Sequence, residues 1–320
     1  MIGKICGTGS YVPAHFLDNN DLAKIVDTSD KWIRERTGVV KRHIIEEDTV
    51  VSMAVTASKR ALENSGVSPE ELDLILVSTF SSEVVLPCAA CEVLKEIGAV
   101  NATGMDLNAA CTGFVFAYNT AQAYIASGMY QTVLVIGSES LSNLVNWKDR
   151  STCILFGDGA GAAVLKSEEG DLYLPATHSD GRKGDALTCM SRHRKNRITG
   201  GDDLDSYIKM DGQEVFKFAV RQVPEVILEV LEKADVSLNE IDYFILHQAN
   251  RRIIEGVAKR LGQDAVKFPM NLDEYGNTSS ASIPILLDEL NHKGVLEPGQ
   301  KLIIAGFGGG LSWGAACLEW

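Results

Sequence analysis

Of the seven cysteines in the chain, Cys111 is the best placed to act as a nucleophile. Apolar residues recur at helical spacing from Phe114 to Ile125, so we predict that Cys111 lies at the N-terminus of a helix. The partial positive charge and free N–H groups at such a position stabilise a thiolate, which is the reactive form of cysteine. Residue type alone favours a different interpretation, a small cysteine buried at a helix start, because free cysteines are commonly buried.

Two more polar residues occupy positions that suit catalysis. His247 directly follows the apolar run 242–246, at the end of a predicted strand, where it is suited to act as an acid, a base or a hydrogen-bond donor. Asn277 precedes a helix predicted over 283–290. Each residue also has an ordinary structural interpretation, which is a strand-end histidine for the first and a helix N-cap for the second.

Glycine-rich segments at 157–161 and 308–310 invite comparison with phosphate-binding loops. The first has the spacing G-x-G-x-x-A, but it leads into an apolar run that predicts a strand rather than a helix, so it does not indicate a dinucleotide site. We interpret both segments as tight connections between strands, with the backbone N–H groups of 308–310 available to an oxyanion. Cys88 and Cys91 have the spacing of a redox pair, but we interpret them as part of a packed helix face.

The elements that would position these residues occur twice in the chain. After a shift of 169 positions, residues 61–76 align without a gap on residues 230–245, and both copies predict a helix end, a loop and an apolar strand. Three further matches follow in the same order. They pair 93–98 with 257–262, 132–140 with 301–309, and 161–165 with 314–318. We therefore predict two similar halves, residues 1–170 with the cysteine and residues 171–320 with the histidine and asparagine.

Each half predicts the order strand, helix, strand, helix, strand, strand, which indicates a layered α/β fold. The strands predicted in both halves are nearly continuous apolar runs, as expected of strands that are buried on both faces. Two similar halves usually pack about a pseudo-twofold axis. We therefore expect the active site at the seam, where strand ends and helix starts from both halves meet.

The charge of the chain limits its partners. The 30 Lys and Arg residues and 43 Asp and Glu residues give a formal net charge of −13, which argues against bulk binding to nucleic acid or to an anionic membrane. No apolar stretch predicts a signal peptide or a membrane span, and seven irregularly spaced cysteines indicate reduced thiols. We therefore expect a soluble cytoplasmic protein. The basic loop Arg192–Lys195 predicts only a solvated segment.

Six motifs occur along the chain: WIRERTG at 32–38, NAACTGF at 108–114, FGDGAGA at 156–162, HQAN at 247–250, GNTSSASIP at 276–284 and FGGGLSWG at 307–314. Together they resemble the β-ketoacyl-acyl carrier protein synthase III family, within the thiolase-like superfamily of condensing enzymes. The resemblance covers essentially the whole chain. It implies an α/β fold of five αβαβα layers with pseudo-twofold symmetry, and a homodimer.

The resemblance also implies a reaction that starts type II fatty acid synthesis. A starter acyl-CoA acylates Cys111, malonyl-acyl carrier protein then loses CO₂, and the resulting enolate attacks the thioester. His247 and Asn277 complete the catalytic set, and the N–H groups of Cys111 and Gly309 form the oxyanion hole. No metal or bound cofactor is implied, because acyl-CoA is a substrate.

Residues at two binding sites carry over by the same resemblance. Those implied at the CoA site are Thr28, Trp32, Arg36, Arg150 and Gln213. Those implied at the carrier-protein site are Arg252, Lys259 and Arg260, whose spacing places them on one side of a helix.

Leu86 departs from the family pattern, in which an aromatic residue often stands at this position on a loop that reaches the acyl pocket of the partner subunit. The smaller side chain predicts that primers longer or more branched than acetyl are accepted. Three other functions stay open: a sister starter synthase of polyketide or quinolone-type biosynthesis, a Cys-His-Asn thioester hydrolase, and a non-catalytic protein that binds acyl-CoA.

Overall fold

The computed structural model describes residues 1–170, 173–191 and 206–320. The basic loop Arg192–Lys195 lies outside the described residues. The helices of the described residues are α1 Asn19–Leu22, α2 Asp30–Thr37, α3 Val50–Ser65, α4 Ala89–Ile97, α5 Gly113–Ala126, α6 Arg150–Cys153, α7 Gly212–Ala234, α8 Arg251–Leu261, α9 Leu272–Tyr275 and α10 Ser282–His292. The strands are β1 Ile2–Tyr11, β2 Phe16–Asp18, β3 Lys41–His43, β4 Leu74–Ser78, β5 Thr103–Leu107, β6 Thr132–Glu139, β7 Gly159–Glu168, β8 Tyr173–Ser179, β9 Leu187–Thr188, β10 Lys209–Met210, β11 Tyr243–Leu246, β12 Lys301–Gly308 and β13 Ser312–Glu319.

Two mixed sheets form the frame of the molecule. The first has the strand order β1-β7-β6-β4-β5 and the second has the order β8-β13-β12-β11. In the first sheet β6 pairs parallel with β4 and antiparallel with β7. In the second, β12 pairs parallel with β11 and antiparallel with β13. The second sheet thus repeats four of the five strands of the first in the same arrangement, which confirms that the chain has two similar halves.

The boundary between the halves falls between the two sheets. Strand β7 ends at Glu168 and β8 begins at Tyr173. We therefore propose the division at 170/171. The first half has an outer apolar cluster of its own, whereas both halves build the central cluster. Helix α10 of the second half packs in one apolar cluster with α5 and strands of the first half.

Five layers result from the alternation of side chains along the buried strands. On β4, Leu74 points to a central apolar cluster that contains α5 and α10, whereas Ile75 points to an outer cluster with α3 and α4. On β12, Leu302 joins the same central cluster, whereas Ile303 points to the opposite outer cluster with α7 and α8. The order is therefore helix, sheet, helix, sheet, helix.

The sequence repeat has a local physical basis in two capping boxes. The Ser68 N–H donates to Glu71 Oε2 over 2.8 Å, and the Ser237 N–H donates to Glu240 Oε1 over 2.9 Å. Each box opens a short 3₁₀ turn that leads the chain from an outer helix into a buried strand, β4 in one half and β11 in the other. The identical serine and glutamate pairs thus make identical turns.

Another identical pair of the repeat is Asp73 and Asp242. Each of these aspartates bonds its strand to the parallel neighbour. Asp73 accepts the Thr132 N–H at the start of β6 over 3.0 Å, and Asp242 accepts the Lys301 N–H at the start of β12 over 2.8 Å. Thr132 and Lys301 are themselves 169 residues apart, as the repeat requires.

The predicted order of elements is incomplete in both halves. The main elements of the first half run β1, α3, β4, α4, β5, α5, β6, β7, which is one strand and one helix more than predicted. The second half runs β8, α7, β11, α8, α10, β12, β13, which is one helix more. Strand β5 escapes a search for apolar runs because it is the half-exposed edge of its sheet and reads TGMDL. Among the described residues, no helix is long and apolar enough to cross a membrane.

Candidate active site

Cys111 lies in a 3₁₀ turn, Ala110–Thr112, that runs directly into α5, as the helical pattern predicts. Its side chain is 7% exposed, and the Ser279 hydroxyl donates to its sulfur over 3.2 Å. The end of β12 lies against its backbone so closely that a Cβ at Gly308 would stand 2.8 Å from the Cys111 nitrogen. Glycine at 308 is therefore required for the two halves to meet at the thiol.

The expectation that Cys111 is a ready thiolate is not met in the free protein. Burial raises the pKa of the Cys111 thiol to about 12, and the carboxyl group of Glu139 adds to the rise. The hydrogen bond from Ser279 acts in the opposite direction but does not outweigh burial. The helix start still presents N–H groups near the sulfur, so the thiol is correctly placed but is protonated at rest.

His247 follows β11, as predicted, and its side chain is 2% exposed. Its Nδ1 lies 2.7 Å from the hydroxyl oxygen of Ser282. That oxygen also accepts the N–H of Gln248 over 3.3 Å, so its own proton is free to point at Nδ1. Burial lowers the pKa of His247 to about 3, so the ring is neutral at pH 7. We assign the proton of the neutral ring to Nε2, because the Ser282 hydroxyl can then donate to Nδ1. Nε2 is a donor in this assignment.

Asn277 is not the N-cap of the helix that follows it, since α10 begins five residues later with Ala281 as its cap. Its Oδ1 accepts the N–H of Ser279 over 2.9 Å, which assigns the amide oxygen and leaves Nδ2 as a donor. Its backbone bonds to the segment before β7, with the Asn277 N–H donating to Leu155 O over 2.8 Å. Asn277 is thus held to the first half by its backbone and to Ser279 of the second half by its side chain.

Two cavities meet at Cys111. The first, of about 200 Å³, has His247 and Asn277 in its wall together with the thiol, so the structure brings the three predicted residues into one space. The second, of about 490 Å³, includes Gly309 and is otherwise mostly apolar among the described residues. Its apolar lining includes Phe80, Leu144, Phe156, Leu187, Met190 and Ile208. A group bound to the sulfur can therefore extend into one cavity while a second molecule approaches through the other.

Comparisons with known proteins agree with this geometry. A family profile described as 3-oxoacyl-[acyl-carrier-protein] synthase III matches residues 105–181, and a profile for the C-terminal part of the same protein matches residues 231–320. A protein of Clostridium acetobutylicum named beta-ketoacyl-[acyl-carrier-protein] synthase III is 47% identical over 319 residues, which cover 99% of this chain and 98% of that protein. The chain belongs to the β-ketoacyl-acyl carrier protein synthase III family.

Solved structures give the same result. The 3-oxoacyl-[acyl-carrier-protein] synthase III of Aquifex aeolicus is 44% identical with a TM-score of 0.93, covering 99% of this chain and 100% of that one. The priming β-ketosynthase of the R1128 polyketide pathway is 36% identical with a TM-score of 0.93, covering 99% of this chain and 96% of that one. The chain therefore has the thiolase-like αβαβα fold and is a condensing enzyme of the acyltransferase class.

Of the residues that the family resemblance implies for CoA, three form one cluster beside the first cavity. The guanidinium groups of Arg36 and Arg150 lie over the Trp32 ring, 5.7 and 4.9 Å from its centroid. Arg36 also lines the first cavity. The other two residues stand near this cluster or near the cavity: Thr28 adjoins Asp27, whose carbonyl accepts from Arg150 over 2.8 Å, and Gln213 is exposed at the start of α7.

The three basic residues implied for the carrier protein are all exposed on α8. The Arg252 guanidinium lies 5.3 Å from the centroid of Phe216, and that ring lines the first cavity. Arg260 is 3.5 Å from Glu225 on α7, which neutralises part of its charge, whereas no ion pair involves Arg252 or Lys259 within the described parts of the chain. The basic face thus begins at the mouth of the first cavity.

Leu86 is 84% exposed and does not contribute to the wall of either cavity in its own chain. It ends an apolar tip, Val84–Leu86, in which the other two residues are 49% and 61% exposed. A side chain this exposed cannot shape the acyl cavity of its own subunit.

Three residues of the site escape the sequence analysis. Ser279 and Ser282 lie within the motif GNTSSASIP, which was used only for Asn277. Glu139 ends β6 fully buried, and burial raises the pKa of its carboxyl group to about 7. Its oxygens accept from Ser81, over 2.5 Å, and contact Ser280 over 2.8 Å. A charged residue at the end of an apolar strand is a signal that could have revealed it.

Proposed function

We propose that this enzyme condenses a starter acyl-CoA with malonyl-acyl carrier protein, through an acyl-Cys111 intermediate, and so initiates type II fatty acid synthesis. One observation carries the proposal. The Cys111 sulfur stands where two cavities meet, and two uncharged N–H donors, from His247 and Asn277, belong to the wall of the first. A hydrolase would need a route for water to the thioester, whereas this geometry offers a second organic substrate its own approach.

In the acylation step, the Cys111 sulfur bonds to the acyl carbonyl carbon and the bond from that carbon to the CoA sulfur breaks. The thiol proton leaves on the CoA sulfur, so the high pKa of the free thiol is compatible with the step. The N–H groups of Cys111 and Gly309 bind the carbonyl oxygen as it gains negative charge. The acyl chain then occupies the apolar second cavity, which Gly309 helps to line.

In the condensation step, the malonyl thioester lies in the first cavity. Loss of CO₂ leaves an enolate, whose oxygen accepts hydrogen bonds from His247 Nε2 and Asn277 Nδ2. The enolate carbon bonds to the acyl carbon, the bond to the Cys111 sulfur breaks, and the thiolate takes up a proton. Both donors are neutral, so they stabilise the developing charge without forming an ion pair with the malonyl carboxylate beforehand.

The binding surfaces fit the two substrates. Trp32 with Arg36 and Arg150 offers an aromatic face and two cations to the adenine and phosphates of CoA. The buried Thr28 hydroxyl, which has no hydrogen-bond partner among the described residues, supplies a polar contact, and Gln213 adds another at the start of α7. Arg252, Lys259 and Arg260 give a basic face for the acidic carrier protein.

The remaining features of the proposal rest on chemistry and exposure. The enzyme needs no cofactor, because decarboxylation drives carbon–carbon bond formation and Cys111 carries the acyl group. It is a homodimer, supported by the exposed apolar tip Val84–Leu86 and by β5 as an unpaired sheet edge. It works in the cytoplasm, where free cysteines are the usual state, and all seven cysteines of the chain are free. It does not bind nucleic acid, given its net charge of −13.

The second cavity and Leu86 together favour primers longer or more branched than acetyl. The cavity is apolar and larger than the first, and a leucine supplied by a partner subunit fills less of it than an aromatic ring would. Starter synthesis for a polyketide or quinolone-type product is the second candidate function. It is supported by the R1128 priming enzyme at 36% identity, against 47% for the fatty acid enzyme.

Intact-mass spectrometry of the purified enzyme with a panel of acyl-CoAs tests the mechanism and the primer prediction together. We expect one acyl group on Cys111 of the wild type, with C4 to C6 and branched primers accepted as well as acetyl, and none on Cys111→Ala. Condensation with malonyl-acyl carrier protein should stop in that variant and persist in Cys88→Ser. Equal loss of activity in both variants would refute the nucleophile, and acetyl alone as a primer would refute the role of Leu86.

The positions of the two donors predict that His247 and Asn277 act in decarboxylation of the malonyl substrate and not in acylation of Cys111. His247→Ala and Asn277→Ala should still become acylated at Cys111 but should release little CO₂ from the malonyl substrate. Steady release of free acid from the wild type would instead indicate a thioester hydrolase. Binding of acyl-CoA without any adduct on Cys111 would indicate a non-catalytic protein.

A further inference from the structure

Cys88 and Cys91 form a close pair outside both cavities. Their sulfur atoms are 3.4 Å apart. Cys88 is half-buried at the N-cap of α4, and Cys91 is exposed in the first turn. The interpretation as a packed helix face holds for Cys88, which packs against the outer apolar cluster, but not for Cys91, which is exposed.

We propose that Cys88 and Cys91 form a reversible disulfide, and that this bond alters how the enzyme handles its primers. A disulfide has an S–S length of about 2.05 Å, so the sulfurs need to approach by little more than 1 Å. Positions N-cap and N3 of one helix are neighbours in space, so the closure takes place within a single turn. No movement between layers of the fold is required.

The oxidant of this reaction is a small disulfide such as oxidised glutathione. The exposed Cys91 thiolate attacks one sulfur of the oxidant and displaces the other half as a thiolate. Cys88 then attacks Cys91 in the mixed disulfide and releases the second half. Two thiols of the enzyme lose two electrons and two protons, and one disulfide of the oxidant gains them as two thiols.

The surroundings of the pair predict a disulfide that is slow to form at neutral pH. The carboxylate of Asp106 accepts the N–H groups of Ala89 and Ala90, over 2.9 and 2.8 Å, so the helix start is already occupied by an anion. The pKa of Cys91 is raised, first by its hydrogen bond with Cys88 and by burial, and then by nearby carboxylates. A raised pKa leaves little of Cys91 as the thiolate at neutral pH, so oxidation should accelerate as the pH rises.

Chain segments before and after the Cys88–Cys91 pair in the sequence both contribute to the wall of the second cavity. Cys88 follows the apolar tip Val84–Leu86, and the segment before that tip places Phe80 in the wall of the cavity. Asp106, which holds the start of α4, precedes Asn108 and Ala109 in the same wall. A covalent bond at this point restricts the base of the segment that carries Leu86. This coupling rests on the function proposed above, whereas the disulfide itself does not.

The disulfide is tested first, without any assay of catalysis. The full-length Cys111→Ala variant is equilibrated in glutathione buffers of graded potential, and free thiols are then alkylated and mapped by peptide mass spectrometry. We expect a peptide linked between Cys88 and Cys91 that disappears on reduction. Cys88→Ser in the same background is the matched control, and it should give no linked peptide. Absence of the linked peptide at the most oxidising potential would overturn the proposal.

The coupling is tested on the active enzyme. Cys111 is protected as its acetyl thioester during oxidation, and kcat/KM is then compared for acetyl and hexanoyl primers in the oxidised and reduced enzyme. We expect the ratio of the two values to change roughly two- to tenfold on oxidation, and to stay constant in Cys88→Ser. A linked peptide with an unchanged ratio would overturn the coupling. Failure of the acetyl thioester to form would count against the proposed function and leave the result of the first experiment intact.

Discussion

At the scale of single residues, Ser282 and Ser279 orient the two proposed catalytic donors, the first through its hydroxyl group and the second through its backbone N–H. His247 has one nitrogen held by Ser282, and Asn277 has its amide oxygen held by the N–H of Ser279. Each contact leaves the other polar atom of the same side chain as a donor. The motif predicts His247 and Asn277 as catalytic residues, but not which of their atoms donates. For His247 we assign Nε2, because the Ser282 hydroxyl can donate to Nδ1 while its oxygen accepts the N–H of Gln248.

Replacement of Ser282 tests this orientation. In Ser282→Ala the ring loses the donor that keeps its proton on Nε2, so we expect the release of CO₂ from the malonyl substrate to slow about 10- to 100-fold. Acylation of Cys111 should be nearly unchanged, since it does not use His247. The two half-reactions are measured separately, by intact mass and by CO₂ release.

Ser282→Thr is the matched control, because it keeps the hydroxyl group and should restore most of the activity. A melting temperature for each variant separates orientation from simple loss of stability. If acylation and decarboxylation fell by the same factor in Ser282→Ala, the serine would be structural and the assignment of the Nε2 proton would lose its support.

At the scale of elements, the buried carboxyl group of Glu139 connects the end of β6 to two segments of the site. Glu139 Oε2 accepts from the hydroxyl of Ser81 and the N–H of Phe80, and Oε1 lies 2.8 Å from Ser280. Ser280 in turn donates to Ser78 O over 3.0 Å. The hydroxyl of Ser280 has one proton, which it can donate to Glu139 Oε1 or to Ser78 O. A protonated Glu139 can instead donate to Ser280, which leaves the Ser280 proton for Ser78 O.

The substitution Glu139→Gln imitates that protonated state and predicts a pH-dependent difference in stability. The pKa of Glu139 is raised by burial from 4.5 to about 7, so in this pH window the folded chain holds a proton that the unfolded chain has released. The free energy of unfolding of the wild type therefore falls as the pH rises from 4.5 to 7. We expect the free energy of unfolding of Glu139→Gln to gain roughly 3 kcal/mol on that of the wild type between pH 4.5 and 8. Urea denaturation at pH 4.5 and at pH 8 measures the difference in free energy of unfolding between the variant and the wild type. A difference that does not vary with pH would contradict a raised pKa of Glu139.

The repeat shows how much of the fold is predictable from sequence and where prediction stops. Strands β4, β6, β11 and β12 were predicted because burial on both faces makes each one a continuous apolar run. Strand β5 was not, because an edge strand with Thr103 and Asp106 exposed lacks that run. Glu139 was missed for a related reason: its partners come from segments that meet only after both halves have packed.

Helix α8 carries the next prediction, because its basic face begins beside the first cavity. Charge reversal at Lys259 should raise the KM for malonyl-acyl carrier protein several-fold at low salt and leave acylation by acyl-CoA unchanged. Lys259→Glu weakens the association with an acidic partner and does not change the chemical step, so kcat should stay the same. The rise in KM should become smaller as salt is added. Lys59→Glu, an exposed lysine on α3 in the opposite outer layer, is the control. The same loss in both variants would mean that overall charge, not this face, governs the encounter.

At the scale of the whole molecule, the positions of the charged and apolar surface residues predict the binding partners better than the net charge or the total apolar surface does. A net charge of −13 coexists with a basic face on α8 and with two arginines over Trp32. The acidic remainder disfavours nucleic acid, while these local groups meet acidic substrates at one side of the chain. Among the described residues, the tip Val84–Leu86 has three exposed apolar side chains in succession, whereas the other exposed large apolar residues stand singly in the sequence.

The apolar tip predicts that the active unit is a dimer. Three successive apolar residues between 49% and 84% exposed are costly to leave in water, and none of them contributes to the acyl cavity of its own chain. A charge at the centre of the tip should therefore weaken association. We expect Val85→Asp to shift the enzyme toward monomer in sedimentation velocity and to lower condensation activity at dilute concentrations.

Val266→Asp is the matched control, since Val266 is 74% exposed beyond the end of α8 and belongs to no apolar cluster. If Val85→Asp stayed dimeric and fully active, the tip would not lie in the interface, and Leu86 could not select primers from across it.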